Sequence, residues 1–382
     1  MRFGGYLRPD GKFGIRNHVV VMSSVSCANG VVEQIVREVP GAVPITHGLG
    51  CGRAEAYTAR TLMGIGKNAN VAAVLVIGLG CEQCRADGLA KGIAESGKPV
   101  EYLVIQESGG SRKTTEKGIE IARRLVAGAN QQRLVDAPFE TLIVGLECGG
   151  SDAFSGVTAN PSVGAAADML VEHGATVIIS ETSEMIGTAH ILKKRAASAE
   201  VAQAVEDCIK KATEHAKYEL GERAGLSIAV GNIEGGLSSI IEKSLGCITK
   251  GGTTTINEVV DYAVAPSKKG LIVMDTPGYD VVSLAGMAAG GAQLMIFTTG
   301  RGTPVGFPIA PVIKVASNSD VFNRMPDDID VDAGKILDGE STIQEVGAEI
   351  FRLVEEVVNG KQTKAEINQQ NPFVIYNPGP RR

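Results

Sequence analysis

The sequence predicts an α/β fold in two domains, each built on a mainly parallel, doubly wound sheet of Rossmann-like type. Three observations carry that expectation. The chain has 382 residues, 44% hydrophobic and 21% charged, more than one typical core takes and enough to bury a large one. Short aliphatic runs alternate with stretches of helical periodicity, the signature of parallel strands joined by right-handed crossovers. The alternation lapses at Asn130-Gln131-Gln132-Arg133 and resumes at Thr141, which divides the chain into residues 1–135 and 136–382.

In order, residues 4–12 read as a turn-rich opening, and Val19-Val20-Val21-Met22 as a buried strand ending at Ser26-Cys27. A helix follows with Val32, Ile35, Val36 and Val39 at three- and four-residue spacing. Ala42-Val43-Pro44-Ile45 runs into Thr46-His47-Gly48-Leu49-Gly50-Cys51, then come a helix to about Gly66, a strand to Ile77 and the Cys81 loop. Tyr102-Leu103-Val104-Ile105 and a helix from Thr114 to Ala129 complete a four-stranded domain. In the second part, strands are expected at Leu142-Ile143-Val144, Val177-Ile178-Ile179, 271–274, 294–297 and 312–315. Helices are expected at 162–173, in the Ala/Glu/Lys/Arg-rich stretch 190–224, through Glu242-Lys243, and at 342–360 with Val346, Ile350, Leu353, Val354 and Val357 on one face.

Composition narrows the function. The net charge is −6, and no Lys/Arg-rich run alternates with aromatics, so nucleic acid is not an expected partner. Aromatics make up 4% with no Trp, against 48 glycines, a balance suited to tight turns around a small polar ligand. No apolar run approaches the ~18 residues that span a bilayer, and the N-terminus does not read as a signal peptide, so no membrane association and a cytoplasmic location are expected. Seven cysteines, an odd number, favour thiols or metal ligands over disulfides.

The sharpest chemistry lies in two matching turns. Gly145-Leu146-Glu147-Cys148-Gly149-Gly150-Ser151-Asp152 and Gly78-Leu79-Gly80-Cys81 each follow an aliphatic run, the position where open α/β sheets hold ligands. Cys27 and Cys51 sit in equivalent places, whereas Cys208 and Cys247 fall in helical stretches and are assigned to packing. Cys81-Glu82-Gln83-Cys84 is a single CxxC, a weak zinc or redox signal. His47 can serve as ligand, base or core residue, with His18 and His190 behind it. Glu181 and Glu184, three apart at a strand end, can share a metal, divide acid and base work, or cap a helix start. Arg301 between glycines and Lys243 suit a carboxylate; Glu107 to Lys113 suit an anion at a helix start; Asp275 and Asp280 suit metal or sugar hydroxyls. There is no dinucleotide GxGxxG context, Walker A lysine or GxSxG elbow.

Taken together, residues 5–17 (Gly5-Tyr6-Leu7-Arg8-Pro9-Asp10-Gly11-Lys12-Phe13-Gly14-Ile15-Arg16-Asn17), Gly78-Leu79-Gly80-Cys81-Glu82, Cys148 to Gly156, Ser180-Glu181-Thr182, Glu242 to Gly246, Met274 to Asp280 and Phe297 to Gly302 resemble the altronate/galactarate dehydratase family over nearly the whole chain. The resemblance implies a lyase that removes water from a sugar acid to give a 2-keto-3-deoxy acid, dependent on Fe2+ or another divalent metal. The same family includes the large subunit of sulfolactate sulfo-lyase, which releases sulfite, and Gly302 to Pro311 looks more like that branch. A separate small β-rich subunit is implied, since the chain starts directly at the Gly5-Tyr6-Leu7-Arg8 motif.

An elimination beside a carboxylate must remove a weakly acidic proton and expel hydroxide or sulfite, and a divalent metal can stabilise the developing charge. Metal ligands are expected among His47, Cys51, Cys81, Cys148 and Glu181. Ser151, Asp152, Lys243, Asp275 and Arg301 are expected to bind the hydroxy-acid substrate, and His47, His190 and Lys243 are the candidate bases. A single iron and an iron–sulfur cluster held by three cysteines with one open iron both suit the pattern. A homo-oligomer is expected. The competing readings are a non-catalytic sugar-acid or metal-binding subunit and a thiol-redox protein using Cys81 and Cys84.

Overall fold

The computed structural model describes residues 1–52, 56–221, 225 and 228–377. It contains two parallel sheets and a small antiparallel one. In the first part, β3 (His18–Ser23), β4 (Ala42–Ile45), β5 (Val71–Gly78) and β6 (Val100–Val104) form a sheet of order β4-β3-β5-β6, parallel throughout. All eight residues of β5 are buried, as a run without alternation requires when helices cover both faces.

In the second part, β8 (Ile143–Cys148), β9 (Thr176–Ile179), β10 (Ile256–Val260), β11 (Gly270–Met274), β12 (Leu294–Thr299), β13 (Val312–Ala316) and β14 (Val331–Asp332) form a parallel sheet of order β10-β11-β9-β8-β12-β13-β14. Chain order reverses between β3 and β5 in the first sheet and between β8 and β12 in the second. These are the switch points at which doubly wound folds bind ligands. The helix Ile343–Val358 starts with a reciprocal Thr342/Glu345 capping box and packs against the helix Ala159–Glu172, burying Val346, Ile350, Val354 and Val357.

The opening differs from its turn-rich reading. Arg2–Leu7 is β1, paired antiparallel with β2 (Phe13–Gly14) and with β7 (Val135–Pro138). Its alternation is concealed because Gly5 occupies an inward position that a larger residue would fill. This small sheet ties the start of the chain to the segment between the two larger sheets. The sequence pattern also gives no sign of β10 or β14, because β10 is an edge strand of mixed polarity and β14 is two residues long.

The two parts meet through buried amides. Asn68 Nδ2 donates to Ala288 and Ala292 C=O at 2.8 and 2.9 Å, and Asn70 Nδ2 donates to Gln293 and Ile309 C=O at 2.8 Å each. Helices Ala56–Lys67 and Asp280–Ala289 lie side by side and run the same way. Near their starts, Tyr57 packs edge-on against Tyr262, whose hydroxyl donates to Val282 C=O at 2.8 Å. Near their ends, a methyl added at Gly64 would fall 2.4 Å from Ala289 O. Each helix follows a strand-end loop, so the carboxyl ends of both large sheets open on the same side.

Candidate active site

At the switch point of the second sheet, β8 delivers Glu147 and Cys148, and the segment after β9 delivers Glu181 and Glu184. Glu181 holds left-handed backbone, φ 64 and ψ 61, which a non-glycine residue adopts at a cost of ~1–3 kcal/mol. The surrounding bonds hold it there: its N–H donates to Thr276 Oγ1 at 2.7 Å, and its Oε2 accepts from Cys148 N–H at 3.1 Å. Lys250 Nζ, fully buried, lies 3.0 Å from both Glu181 Oε2 and Cys148 Sγ. The Cys148 thiol lies 3.0 Å from Glu184 Oε2 and 3.7 Å from Cys247 Sγ. Lys243 forms an ion pair with Glu184.

The protonation pattern follows from these contacts. Burial, with the Glu181 charge, pushes Glu147 well above the usual carboxylate range. Burial would raise Glu181 as well, but Lys250, the neighbouring Glu147 acid and Lys243 outweigh it and hold it below its ordinary value. Its contact with Cys247, together with burial, keeps the Cys148 thiol protonated. Burial alone would lower Lys243 and Lys250, yet the anionic neighbours raise both, so each is an ammonium. Asp280 is pushed up to about 7 by burial, reinforced by Glu181 and Glu184. Glu147, Glu181 and Asp280 offer carboxylate oxygens all within 4.8 Å of one another. Among the described residues Glu147 Oε1 and Glu181 Oε1 have no donor, while Glu147 Oε2 accepts from Ser283 at 2.6 Å. Gly149 permits the approach of Asp280, since an added methyl would sit 2.2 Å from Asp280 Oδ2.

Cys148, Glu181, Glu184 and Cys247 also offer atoms within 4.8 Å of one another, so by distance they could hold a metal ion. Lys243 pairs with Glu184, and Lys250 pairs with Glu181 and contacts Cys148.

The structure brings together Cys148, Glu181 and Lys243 from the expected set, and adds Glu147, Glu184, Cys247, Lys250 and Asp280. Cys247 belongs here and not to packing alone; its helix turns it toward Cys148. Lys250 gave no motif in the sequence; the only hint was a lysine in an otherwise apolar stretch. His47 lies in the loop after β4 of the first sheet, where Nε2 meets Ser23 C=O at 3.1 Å and Nδ1 accepts from Leu49 N–H at 3.2 Å. Both nitrogens are therefore engaged, and burial lowers its pKa. Cys51 and Cys81 are exposed in first-sheet loops, outside the Cys148 group. His190 is exposed and lines a separate groove of about 690 Å³ with Ile186, Ile209, Lys210 and Ile241. The Asp275 carboxylate accepts from Thr182 and pairs with Lys211. Arg301 is half-exposed on Glu234. Asp152 is buried and held by Ser155, Ser317 and Asn318. Ser151, Asp152, Asn160 and Lys243 line a pocket of about 280 Å³. Cys84 is pushed up to about 11 by burial and Glu82, the opposite of what a redox-active thiol needs.

Fold and site define a two-domain α/β protein with paired carboxylates and lysines at a sheet switch point. The chain belongs to the D-galactarate/altronate dehydratase family. Residues 5–130 match the model of the second domain of D-galactarate dehydratase/altronate hydrolase, and residues 139–381 match the C-terminal model of D-galactarate/altronate dehydratase. It is 37% identical to galactarate dehydratase (L-threo-forming) of Escherichia coli, over 99% of this chain and 77% of that one. It is 32% identical to altronate dehydratase of Bacillus subtilis, over 99% and 78%. It is 35% identical to (2R)-sulfolactate sulfo-lyase subunit beta of Chromohalobacter salexigens, over 98% and 96%.

Proposed function

We propose that the protein is a carbon–oxygen lyase that removes water from a sugar acid of the altronate or galactarate type, giving a 2-keto-3-deoxy acid. The observation that carries this reading is Lys243: an ammonium that lines the 280 Å³ pocket and pairs with Glu184, which contacts Cys148 in the buried acid group. Lys243 holds the substrate carboxylate from the pocket side. Asp280, with a pKa of about 7, is the group suited to accept the C2 proton and return a proton to the leaving hydroxyl near neutrality. Lys250 and the protonated Glu147 keep Glu181 ionised but neutralised, so that charge developing beside the substrate carboxylate meets fixed dipoles and not water. Metal assistance is part of the proposal. A bound iron or similar ion would supply Lewis acidity at the substrate oxygens, and the residues that could hold it are Glu147, Glu181 and Asp280, or Cys148, Glu181, Glu184 and Cys247.

A second reading, release of sulfite from sulfolactate, is favoured by the alignment over 96% of a sulfo-lyase subunit. The name of that relative also supports a separate partner subunit. Anaerobic protein supplied with iron, alone and with a candidate small subunit, is assayed on altronate, galactarate and sulfolactate. Keto-acid formation from the sugar acids, lost in Cys148→Ala, is the expected result. Sulfite with pyruvate from sulfolactate would move the chain to the second reading. Ligand binding without turnover in either protein would sink both and leave a binding subunit.

A further inference from the structure

Lys243 and Arg301 are each held by a glutamate, but not in the same way. The side chains of the Lys243–Glu184 pair are 10% and 8% exposed, whereas those of Arg301 and Glu234 are 43% and 56% exposed. The bond from Arg301 Nη2 to Glu234 Oε2, at 2.9 Å, is the one hydrogen bond that this guanidinium makes among the described residues. A guanidinium offers five donors in a planar fork that grips an oxyanion two bonds at a time. One of the five is engaged here, so the fork keeps most of its capacity for a ligand.

Both members of the exposed pair are fixed to the walls of the candidate site. Gly149 N–H donates to Thr298 C=O at 3.1 Å, and the Gly300 and Arg301 N–H groups both donate to Gly150 C=O, at 3.1 and 2.8 Å. The turns after β8 and β12 are therefore bonded to each other, and Arg301 lies beside the Gly149 turn that packs on Asp280. Asp152, on the pocket wall, packs against Gly300, where an added methyl would lie 2.2 Å from its Cγ. Asn318 Nδ2 bridges the two by donating to Asp152 Oδ2 and to Gly300 C=O, at 2.9 Å each. Glu234 ends the short helix Val230–Glu234, which rests on the same loop. Asn232 Nδ2 donates to Ser151 C=O at 2.9 Å, and Gly235 C=O accepts from Ala153 N–H at 2.9 Å. Ser151 and Ala153 line the 280 Å³ pocket together with Lys243. The pocket thus has an ammonium in its wall, and a guanidinium stands one residue beyond the wall at Gly300.

A half-exposed ion pair contributes little to stability, so a ligand anion can exchange for Glu234 at small cost. The nearly buried Glu184 is not exchanged in this way, because its loss would leave Lys243 a desolvated charge. We propose that Glu234 is a specificity-determining residue. It holds Arg301 as an exchangeable latch, and the second anionic group of a doubly charged hydroxy acid takes its place while the first sits at Lys243. The inference rests on the dehydratase reading for the position of the first carboxylate. It narrows the substrate to hydroxy acids with an anionic group at each end, a dicarboxylate or a sulfonate–carboxylate. A singly charged aldonate reaches Lys243 and leaves the latch shut. Arg301 holds and orients the far end of the substrate and takes no part in proton transfer.

The test is calorimetric titration of the full chain with galactarate, sulfolactate and altronate, for the parent, Arg301→Gln and Glu234→Ala, beside KM from initial rates. Arg301→Gln should weaken the dianion that the parent binds by about 10- to 100-fold and altronate by less than about 2-fold. Glu234→Ala should tighten the same dianion by about 2- to 5-fold and leave altronate affinity unchanged. Galactarate and sulfolactate, compared in the parent, distinguish a carboxylate from a sulfonate as the second group. Because the pair is half-exposed, both variants should keep the parent's melting temperature, so that a change in affinity is not a loss of fold. A loss in Arg301→Gln shared equally by dianion and altronate overturns the proposal, as does a Glu234→Ala variant that binds the dianion no tighter, or a parent that binds neither dianion. Affinities that follow the expected pattern without keto acid or sulfite formation leave the latch standing and remove the lyase reading; turnover with KM values indifferent to both substitutions does the reverse.

Discussion

Replacing Asp280 by Asn should make the protein more stable at pH 8 while abolishing turnover. The Asp280 carboxyl is pushed from 3.8 to about 7 by burial and by Glu181 and Glu184. At ~1.36 kcal/mol per pK step that displacement is worth ~4 kcal/mol, and partial solvent access reduces the expectation to ~2–4 kcal/mol. The sign follows from linkage. A carboxyl whose folded pKa is raised stabilises the fold fully below pH 3.8, and that contribution is lost as pH rises toward 7. Above pH 7 that contribution is gone, so relative to a side chain that cannot ionise the carboxylate then costs the full amount. Asparagine cannot ionise, so the variant's advantage should grow between about pH 4 and 7 and then level off. Urea midpoints of both proteins at pH 5, 6, 7 and 8 measure it, beside a turnover assay in which loss of a general base removes ~10²–10⁴-fold. A variant no more stable than the parent at pH 8, or an advantage that did not shrink at pH 5, would refute the assignment of Asp280 as a strained, proton-handling carboxylate.

Three other substitutions test the same centre. Lys250→Met leaves Glu181 buried without its cation and should cost ~3–5 kcal/mol, read from denaturant midpoints at neutral pH; a neutral effect would mean that Glu181 is not held ionised. Glu147→Gln replaces a protonated acid by a neutral amide and should change stability by less than ~1 kcal/mol at pH 7, whereas Glu181→Gln should be distinctly more damaging; equal effects would contradict the division of charge between them. Gly149→Ala places a methyl 2.2 Å from Asp280 Oδ2 and 2.8 Å from Phe297 Cζ and should cost ~1–3 kcal/mol and most of the activity, and an unperturbed melting temperature would contradict that packing.

Much of the fold was legible because parallel strands buried on both faces are unbroken aliphatic runs, as in Val71–Gly78, and their helices carry plain three- and four-residue periodicity, as in Ile343–Val358. β1 was not legible, because two glycines conceal its alternation and its partner β7 lies 130 residues away. In the candidate site, Cys148 and Glu181 stood out as loop residues after strands. Lys250 and Cys247 did not, since a short helix after a glycine turn gives no sign of which face meets a sheet edge. The long motif from Gly5 to Asn17 proves architectural. Arg8, buried and lowered to about 10 by that burial, donates to Ala69 and Arg16 C=O and to Asn17 and Gln132. Arg16 grips Glu366 and the Val357 and Lys361 carbonyls.

The Asn68 and Asn70 amides have a dynamic consequence. Opening the two sheets by a hinge would strip four carbonyl partners from two buried side chains at once, each left unsatisfied at ~1–3 kcal/mol. A hinge motion between the two sheets is therefore opposed by these buried bonds. Entry of substrate and exit of product fall to the glycine loops at the strand ends, whose faster rearrangements leave the spacing of the two sheets untouched.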